Sequence, residues 1–261
     1  MATQSATPQI DVNCDMGEGF GAYTLGLDSE VIRHVTSANI ACGFHAGDPG
    51  WMRATVELAE RHGVGIGAHP GFPDLRGFGR RNLAASPAEI RDDVAYQVGA
   101  LTAFTRAKRL QHVKPHGALY NMAVDREDIA AAIAEAVLSI DEQLILVVLA
   151  GSRWEDVARR LGVRVAREVF ADRAVRADGS LVPRTEAGAV IHDRSEVVER
   201  SLQLVTTGTL TVRTGETIER RADTICLHGD TPGAVGLASA LRDAFDRAGV
   251  QVVPMATLIA R

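Results

Sequence analysis

The stretch NCDMGE at residues 13–18 decides how this chain is read. It closes an apolar run and sets titratable side chains beside a glycine, the pattern of a polar tip on a buried strand. Residues two apart share a face of an extended strand, so Asn13 and Asp15 point together. Four further clusters repeat the pattern: ACGFHAGD (41–48), GAHPG (67–71), HVKPHG (112–117) and CLHGD (226–230). Lys114 pairs with His116 by the same spacing, and His228 with Asp230. When parallel strands close into a βα barrel, their last inward positions surround a pocket, and glycines let loop backbone come close to a ligand. Five distant clusters therefore predict one site at a barrel mouth.

Short β-like runs alternate with helical stretches along the rest of the chain. Strands are expected over 9–14, 38–42, 64–68, 111–115, 144–150, 163–169, 223–228 and 250–254. Helices are expected over 28–36, 50–62, 86–109, 125–138, 152–161, 193–206 and 231–248. The helix at Ser86 is the best marked, with a serine N-cap, Pro87 at its first position and Glu89 placed for a capping box. The segment 209–221, beginning TLTVRTGETIER, alternates around Thr214-Gly215 and reads as an inserted hairpin. Such alternation gives an α/β fold with parallel strands inside and helices outside. An open doubly wound sheet gathers its ligand at one crevice, whereas a barrel uses the tips of most strands, so the clusters favour a barrel. No Pro/Ser-rich linker interrupts the 261 residues, which predicts a single domain over 1–261, with 1–8 disordered.

A hydrophobic share of 46% supports a sizeable core, and a net charge of −5 gives no polyanion-binding surface, so nucleic acid is not an expected partner. Three cysteines without CxxC spacing argue against a disulfide framework or a zinc ribbon and fit a reducing, cytoplasmic compartment. The opening residues do not have signal-peptide form, and the longest strongly apolar run, LILVVLA (144–150), is too short to span a bilayer. Neither GxGxxG nor GxxxxGK[ST] occurs, so any ATP must be bound by another chain.

Only Lys108 and Lys114 among 28 basic residues are lysines. An inward-facing lysine at position 114 therefore suggests that a compact ammonium is needed, for carboxylate anchoring, oxyanion stabilisation or proton transfer, with a structural ion pair to Asp15 or Glu18 as the alternative. His45, His69, His116 and His228 lie within two residues of glycine and are site candidates, with Asp15, Glu18, Asp48 and Asp230 as matching carboxylates. His112 is read as an edge residue. Several histidines with a carboxylate suit Zn²⁺, but no HExxH helix supports it and the metal question stays open. Cys14 and Cys42 read as buried strand residues. The segment GFPDLRGFGRR (71–81) reads either as an anion-binding lid or as an ordinary loop.

The strings DVNCDMGEGFG, NIACGFHAGDP, GAHPGFPDLRGFGRR, HVKPHGALYN, EVFADR with DGSLVPR, and CLHGD resemble the A-subunit family of 5-oxoprolinase, also called LamB/YcsF lactam-utilisation proteins, from about Ile10 to the C-terminus. One departure is Val175, where the family commonly has an aromatic residue. The resemblance implies an irregular (β/α) barrel of about seven strands, related to glycoside hydrolases and deacetylases. It implies ATP-dependent hydrolysis of 5-oxo-L-proline to L-glutamate together with partner subunits B and C, which would bind most of the ATP. Asp15, His45, His69, Lys114 and His116 are the implied catalytic group. Asn13, Glu18, Asp48, Arg80, Glu168, Asp172, Arg173, His228 and Asp230 are the implied substrate-binding group. The alternatives are a stand-alone metal-dependent, deacetylase-like hydrolase and a non-catalytic lactam-binding subunit.

Overall fold

Ile10, Val12, Cys14 and Met16 alternate with Asp11, Asn13 and Asp15 along the first strand, and this alternation divides the molecule into two interiors. The first set joins the large apolar core beneath the helices, while the second points into a ring of strands. In the computed structural model, which describes residues 7–227 and 233–259, the strands are β1 (Gln9–Met16), β2 (Ser37–Ala41), β3 (Gly65–His69), β4 (His112–Val113), β5 (Ile145–Leu149), β6 (Arg164–Phe170), β7 (Thr209–Thr211), β8 (Thr217–Glu219), β9 (Thr224–Leu227) and β10 (Gln251–Val252). The helices are α1 (Asp28–Val31), α2 (Pro49–His62), α3 (Pro87–Thr102), α4 (Gly117–Asp125), α5 (Glu127–Ile140), α6 (Arg153–Arg160), α7 (Arg194–Thr207), α8 (Ala234–Arg247) and α9 (Met255–Leu258).

Seven strands close a parallel barrel in the order β1-β2-β3-β4-β5-β6-β9, with β9 returning to β1 through the Asn13 and Cys226 register. β10 pairs with Gln9 and Ile10 at the start of β1, which leaves the rest of that edge to β9. The barrel is thus irregular, as the resemblance implies. The inserted hairpin is present as antiparallel β7–β8, and its turn holds Gly215 at φ 89°. Ser86 and Glu89 form the expected capping box.

The structure departs from the expected elements in several places. The helix from Ser86 stops at Thr102 rather than Arg109, because the following residues form turns that bring the chain back to β4. The helix expected over 125–138 is preceded by α4, and Arg126, in an extended conformation, separates α4 from α5. The N-terminal expectation of disorder falls mainly on residues 1–6, outside the described residues; the Pro8 carbonyl accepts a hydrogen bond from Gln251 N. All three cysteines are free and buried. Among the described residues, no helix is long and apolar enough to cross a membrane.

The barrel interior is split by chemistry. On the β5–β6 side it is filled by Ile145, Val147, Ala166 and Met255. On the β1–β2 side it is polar, and burial there is tolerable because Asp11, Asn13, Ser37 and Asn39 find partners in one another and in neighbouring strands. Asp11 accepts hydrogen bonds from Ser37 Oγ (2.7 Å), Thr36 Oγ1 (2.8 Å), Met255 N (3.1 Å) and Thr224 Oγ1. Burial nevertheless dominates these bonds and pushes its carboxyl up from 3.8 to about 6. A carboxyl raised in the folded state contributes stability that is complete below about pH 4 and is lost as the pH rises through about 6. Urea unfolding of wild type and Asp11→Asn at pH 4 and pH 7 should show the wild type losing about 2 kcal/mol relative to the variant over that interval. An unchanged difference would mean that ionising Asp11 carries no penalty in this fold.

Candidate active site at the barrel mouth

Lys114 follows β4, and its inward side chain crosses the barrel, with 2% of its surface exposed. Its Nζ donates to Asp15 Oδ1 (2.8 Å) and lies 3.1 Å from Glu168 Oε1 and 3.0 Å from Cys226 Sγ. Burial opposes the ammonium, but the Asp15 and Glu168 charges outweigh it and hold the group well above the usual lysine range. Asn39 fixes the near carboxylate by donating from Nδ2 to both Asn13 Oδ1 (2.7 Å) and Asp15 Oδ1 (2.8 Å). His112 in turn fixes Asn39: its Nε2 lies 2.7 Å from Asn39 Oδ1, which can only accept, so that nitrogen carries the proton. Burial pushes the His112 ring down to about 3, leaving it neutral. Gly67 makes this possible, since a Cβ there would stand 2.1 Å from His112 Nε2.

Above this chain sit three histidines contributed by successive strand ends. His69 ends β3, with its Nδ1 2.6 Å from the Lys114 carbonyl. His116 precedes α4, with Nε2 2.9 Å from the Phe78 carbonyl and Nδ1 2.9 Å from His69 Nε2. His45 lies on the loop after β2, fully buried, and stacks on His116 with ring centroids 3.8 Å apart. Burial drives His45 and His116 well below the ordinary imidazole range, so both rings are neutral. Glu18 Oε1 lies 3.4 Å from His45 Nε2 and 3.6 Å from His116 Nδ1, and Asp15 Oδ2 lies 3.3 Å from His69 Nε2. Gly79, at φ 62°, lets the 71–81 segment pass over this group, because a Cβ there would meet His45 Cβ at 2.6 Å.

These groups form the floor of a cavity of about 700 Å³. Asp15, Glu18, His69, Lys114 and His116 face it from below, and Arg80, Arg173, Arg176 and Arg184 contribute to its wall. Arg173 reaches back to the Ala189 and Val182 carbonyls and so ties down the 174–189 loop, whose residues 180–185 form the far side. The volume suits a small molecule with a polar end.

The LamB/YcsF family model matches residues 10–260 of the chain. The chain belongs to the LamB/YcsF family. It is 53% identical over 253 residues to the A subunit of 5-oxoprolinase from Pyrococcus furiosus, covering 96% of this chain and 99% of the relative. It is 55% identical over 249 residues to that of Syntrophobacter fumaroxidans, covering 95% and 98%. The solved lactam utilization protein of Thermus thermophilus superposes with a TM-score of 0.90 at 48% identity, covering 94% of this chain and 99% of that one. T48 deacetylase, with a TM-score of 0.50 at 14% identity, covering 97% of this chain and 90% of that one, shares the fold.

Set against this LamB/YcsF barrel, the expected site residues fall into three groups. Asp15, Glu18, His69, Arg80, Lys114, His116 and Arg173 line the cavity, while Asn13, His45 and Glu168 are buried and tied to those residues by the contacts above. Asp48 goes elsewhere: Oδ1 accepts from Gly50 N and Trp51 N and Oδ2 from Gly21 N, so it caps α2. Asp172 is buried at the start of the 171–193 segment and is not among the described lining residues. His228 and Asp230 lie outside the described residues. Of the 71–81 arginines, Arg80 meets the cavity, and Arg81 is bound to Asp74. Val175 is buried and bridges Leu181 instead of covering the pocket. Sequence reading missed Asn39 and His112, although His112 lies two residues before Lys114 and thus on its face. It also missed Tyr120, which lines the cavity from α4, and the 176–185 wall, for which strand-tip spacing carries no signal.

Lys114 is therefore an ion-paired ammonium and not a ready proton donor. Replacing it with methionine, which nearly keeps its length, strands Asp15 and Glu168 beside each other without a counter-charge. Lys114→Met should cost about 3–5 kcal/mol of unfolding free energy at pH 7. A cost below about 1 kcal/mol in denaturant titration would show that the carboxylates do not depend on this charge.

Proposed function

We propose that this chain is the A component of an ATP-dependent 5-oxoprolinase, acting with partner subunits B and C to open 5-oxo-L-proline to L-glutamate while ATP is converted to ADP and phosphate. The observation that carries the reading is the cavity itself, which sets a carboxylate held by a buried lysine opposite a wall containing four arginines, in a chain whose near-full-length relatives bear this name. A five-membered lactam is an unstrained, resonance-stabilised amide, so water attacks it slowly. Phosphorylation of the carbonyl oxygen by the partner subunits removes that stabilisation and makes C5 electrophilic.

Within the cavity, Asp15 is the group suited to move the proton. Its Oδ1 is taken by Lys114 and Asn39, which fix the carboxylate and leave Oδ2 on the His69 side. As water adds to C5, Asp15 Oδ2 takes its proton, and that proton passes to the ring nitrogen as the C5–N bond breaks. The ring-opened acyl phosphate then loses phosphate to a second water, giving L-glutamate. Lys114 steadies Asp15 instead of gripping the substrate, so the carboxylate and phosphate fall to the arginine wall.

Reconstitution with subunits B and C, scored by glutamate and ADP formation, should give glutamate only with all three chains and ATP. Asp15→Asn should lower turnover by about a hundredfold or more with the complex intact. Glutamate formation by the isolated chain without ATP would point to a stand-alone hydrolase, and full turnover by Asp15→Asn to a subunit that only binds the lactam.

A further inference from the structure

Glu18, His45, His69 and His116 each bring a donor atom to one place at the cavity floor, with all four atoms within 4.8 Å of one another. The hydrogen bonds around them decide what these atoms are. A carbonyl oxygen only accepts, so the 2.6 Å contact to the Lys114 carbonyl places a proton on His69 Nδ1, and the 2.9 Å contact to the Phe78 carbonyl places one on His116 Nε2. Where neither ring carries a second proton, the two remaining nitrogens, His69 Nε2 and His116 Nδ1, are lone pairs facing each other at 2.9 Å. Two acceptors at that distance repel unless something positive lies beside both. His45 is fully buried, yet neither of its ring nitrogens has a hydrogen-bond partner among the described residues, and its Nε2 lies 3.4 Å from Glu18 Oε1. Leaving such a ring unsatisfied in the interior is costly.

We propose that these four residues form a binding site for a divalent first-row transition metal ion of the zinc type. Three imidazoles and one carboxylate are the donor set such ions favour, and it is unlike the all-oxygen shell that Mg²⁺ or Ca²⁺ requires. Tetrahedral bonds of about 2.0–2.1 Å separate neighbouring donors by about 3.4 Å. Three of the six spacings, 2.9 Å for His69–His116, 3.4 Å for His45–Glu18 and 3.6 Å for His116–Glu18, bracket that value, and the others lie within 4.8 Å; His45, stacked on His116, would turn its ring to aim a nitrogen at the ion. The outer hydrogen bonds from His69 and His116 to backbone carbonyls are the usual supports of metal-bound histidine, fixing tautomer and ring direction. Glu18, His69 and His116 also line the cavity, so the ion would face bound substrate with His45 beneath it. The inference concerns ion binding by this chain alone and stands apart from the lactam reaction.

The test uses the full chain stripped with chelator and then titrated with ZnCl₂, alongside crystals grown with one equivalent of zinc and measured at its absorption edge. One ion per chain with Kd below about 1 µM is expected, with an anomalous peak between the four donor atoms. Glu18→Gln and His45→Asn should each weaken binding at least about tenfold, while His62→Ala on the exposed face of α2 should not. Melting of the metal-free proteins shows whether each variant folds, and the wild-type anomalous peak decides the matter if one does not. Binding well below one equivalent, equal affinity in folded Glu18→Gln and His45→Asn, or a peak elsewhere would overturn the site.

Discussion

The barrel depends on one buried charge. Lys114 carries its ammonium into the ring of strands and meets Asp15 from β1 and Glu168 from β6, which are far from it in sequence and on different walls in space. Placing an ion there costs several kcal/mol in desolvation, and the cost is recovered only where opposite charges and hydrogen bonds are already in position. Asn13, Asn39 and His112 provide that positioning from three strands. The same contacts that make the ammonium tolerable therefore hold Asp15 in one orientation, which is the condition for using it as a reacting group. In the proposed reaction, stability and chemistry share these atoms.

The polar floor also explains several small residues around it. Gly67 is bare because His112 lies over it, and Gly79 is bare because His45 and His116 lie beneath it. The apolar half of the barrel, around Ile145, Val147 and Met255, can be filled by packing alone and imposes no comparable geometric demand. The candidate site thus gathers at the β1–β4 tips, at Glu168 of β6 and at the loops that close over them.

Much of this was legible in the chain, and the reason is period. Asn13 with Asp15 and Lys114 with His116 are placed by a spacing of two, and the scarcity of lysine singled out Lys114. The same rule places His112 on the face of Lys114, but its position at the start of a short strand made it look peripheral. Asn39 sits in SANIA, a run that reads as apolar, and only the pairing of β1 with β2 reveals that it spans Asn13 and Asp15. Asp48 misled in the opposite way: it lies in a site-like cluster, yet an aspartate directly before Pro49 at a helix start is the pattern of an N-cap. The 176–185 wall depends on where a long loop folds back, which local spacing does not encode.

The most direct test of the buried charge is lysine-selective ¹⁵N NMR of the side-chain nitrogens, because the chain has only Lys108 and Lys114 to assign and Lys108 is exposed. The structure predicts that the Lys114 signal remains that of an ammonium as the pH is raised through the ordinary lysine value of 10.5, for as long as the fold persists. It should also lose this protection when Asp15 and Glu168 are both neutralised. A Lys114 nitrogen that is already an amine near pH 8 would contradict the account, since neither the barrel floor nor the orientation of Asp15 would then rest on an ion pair.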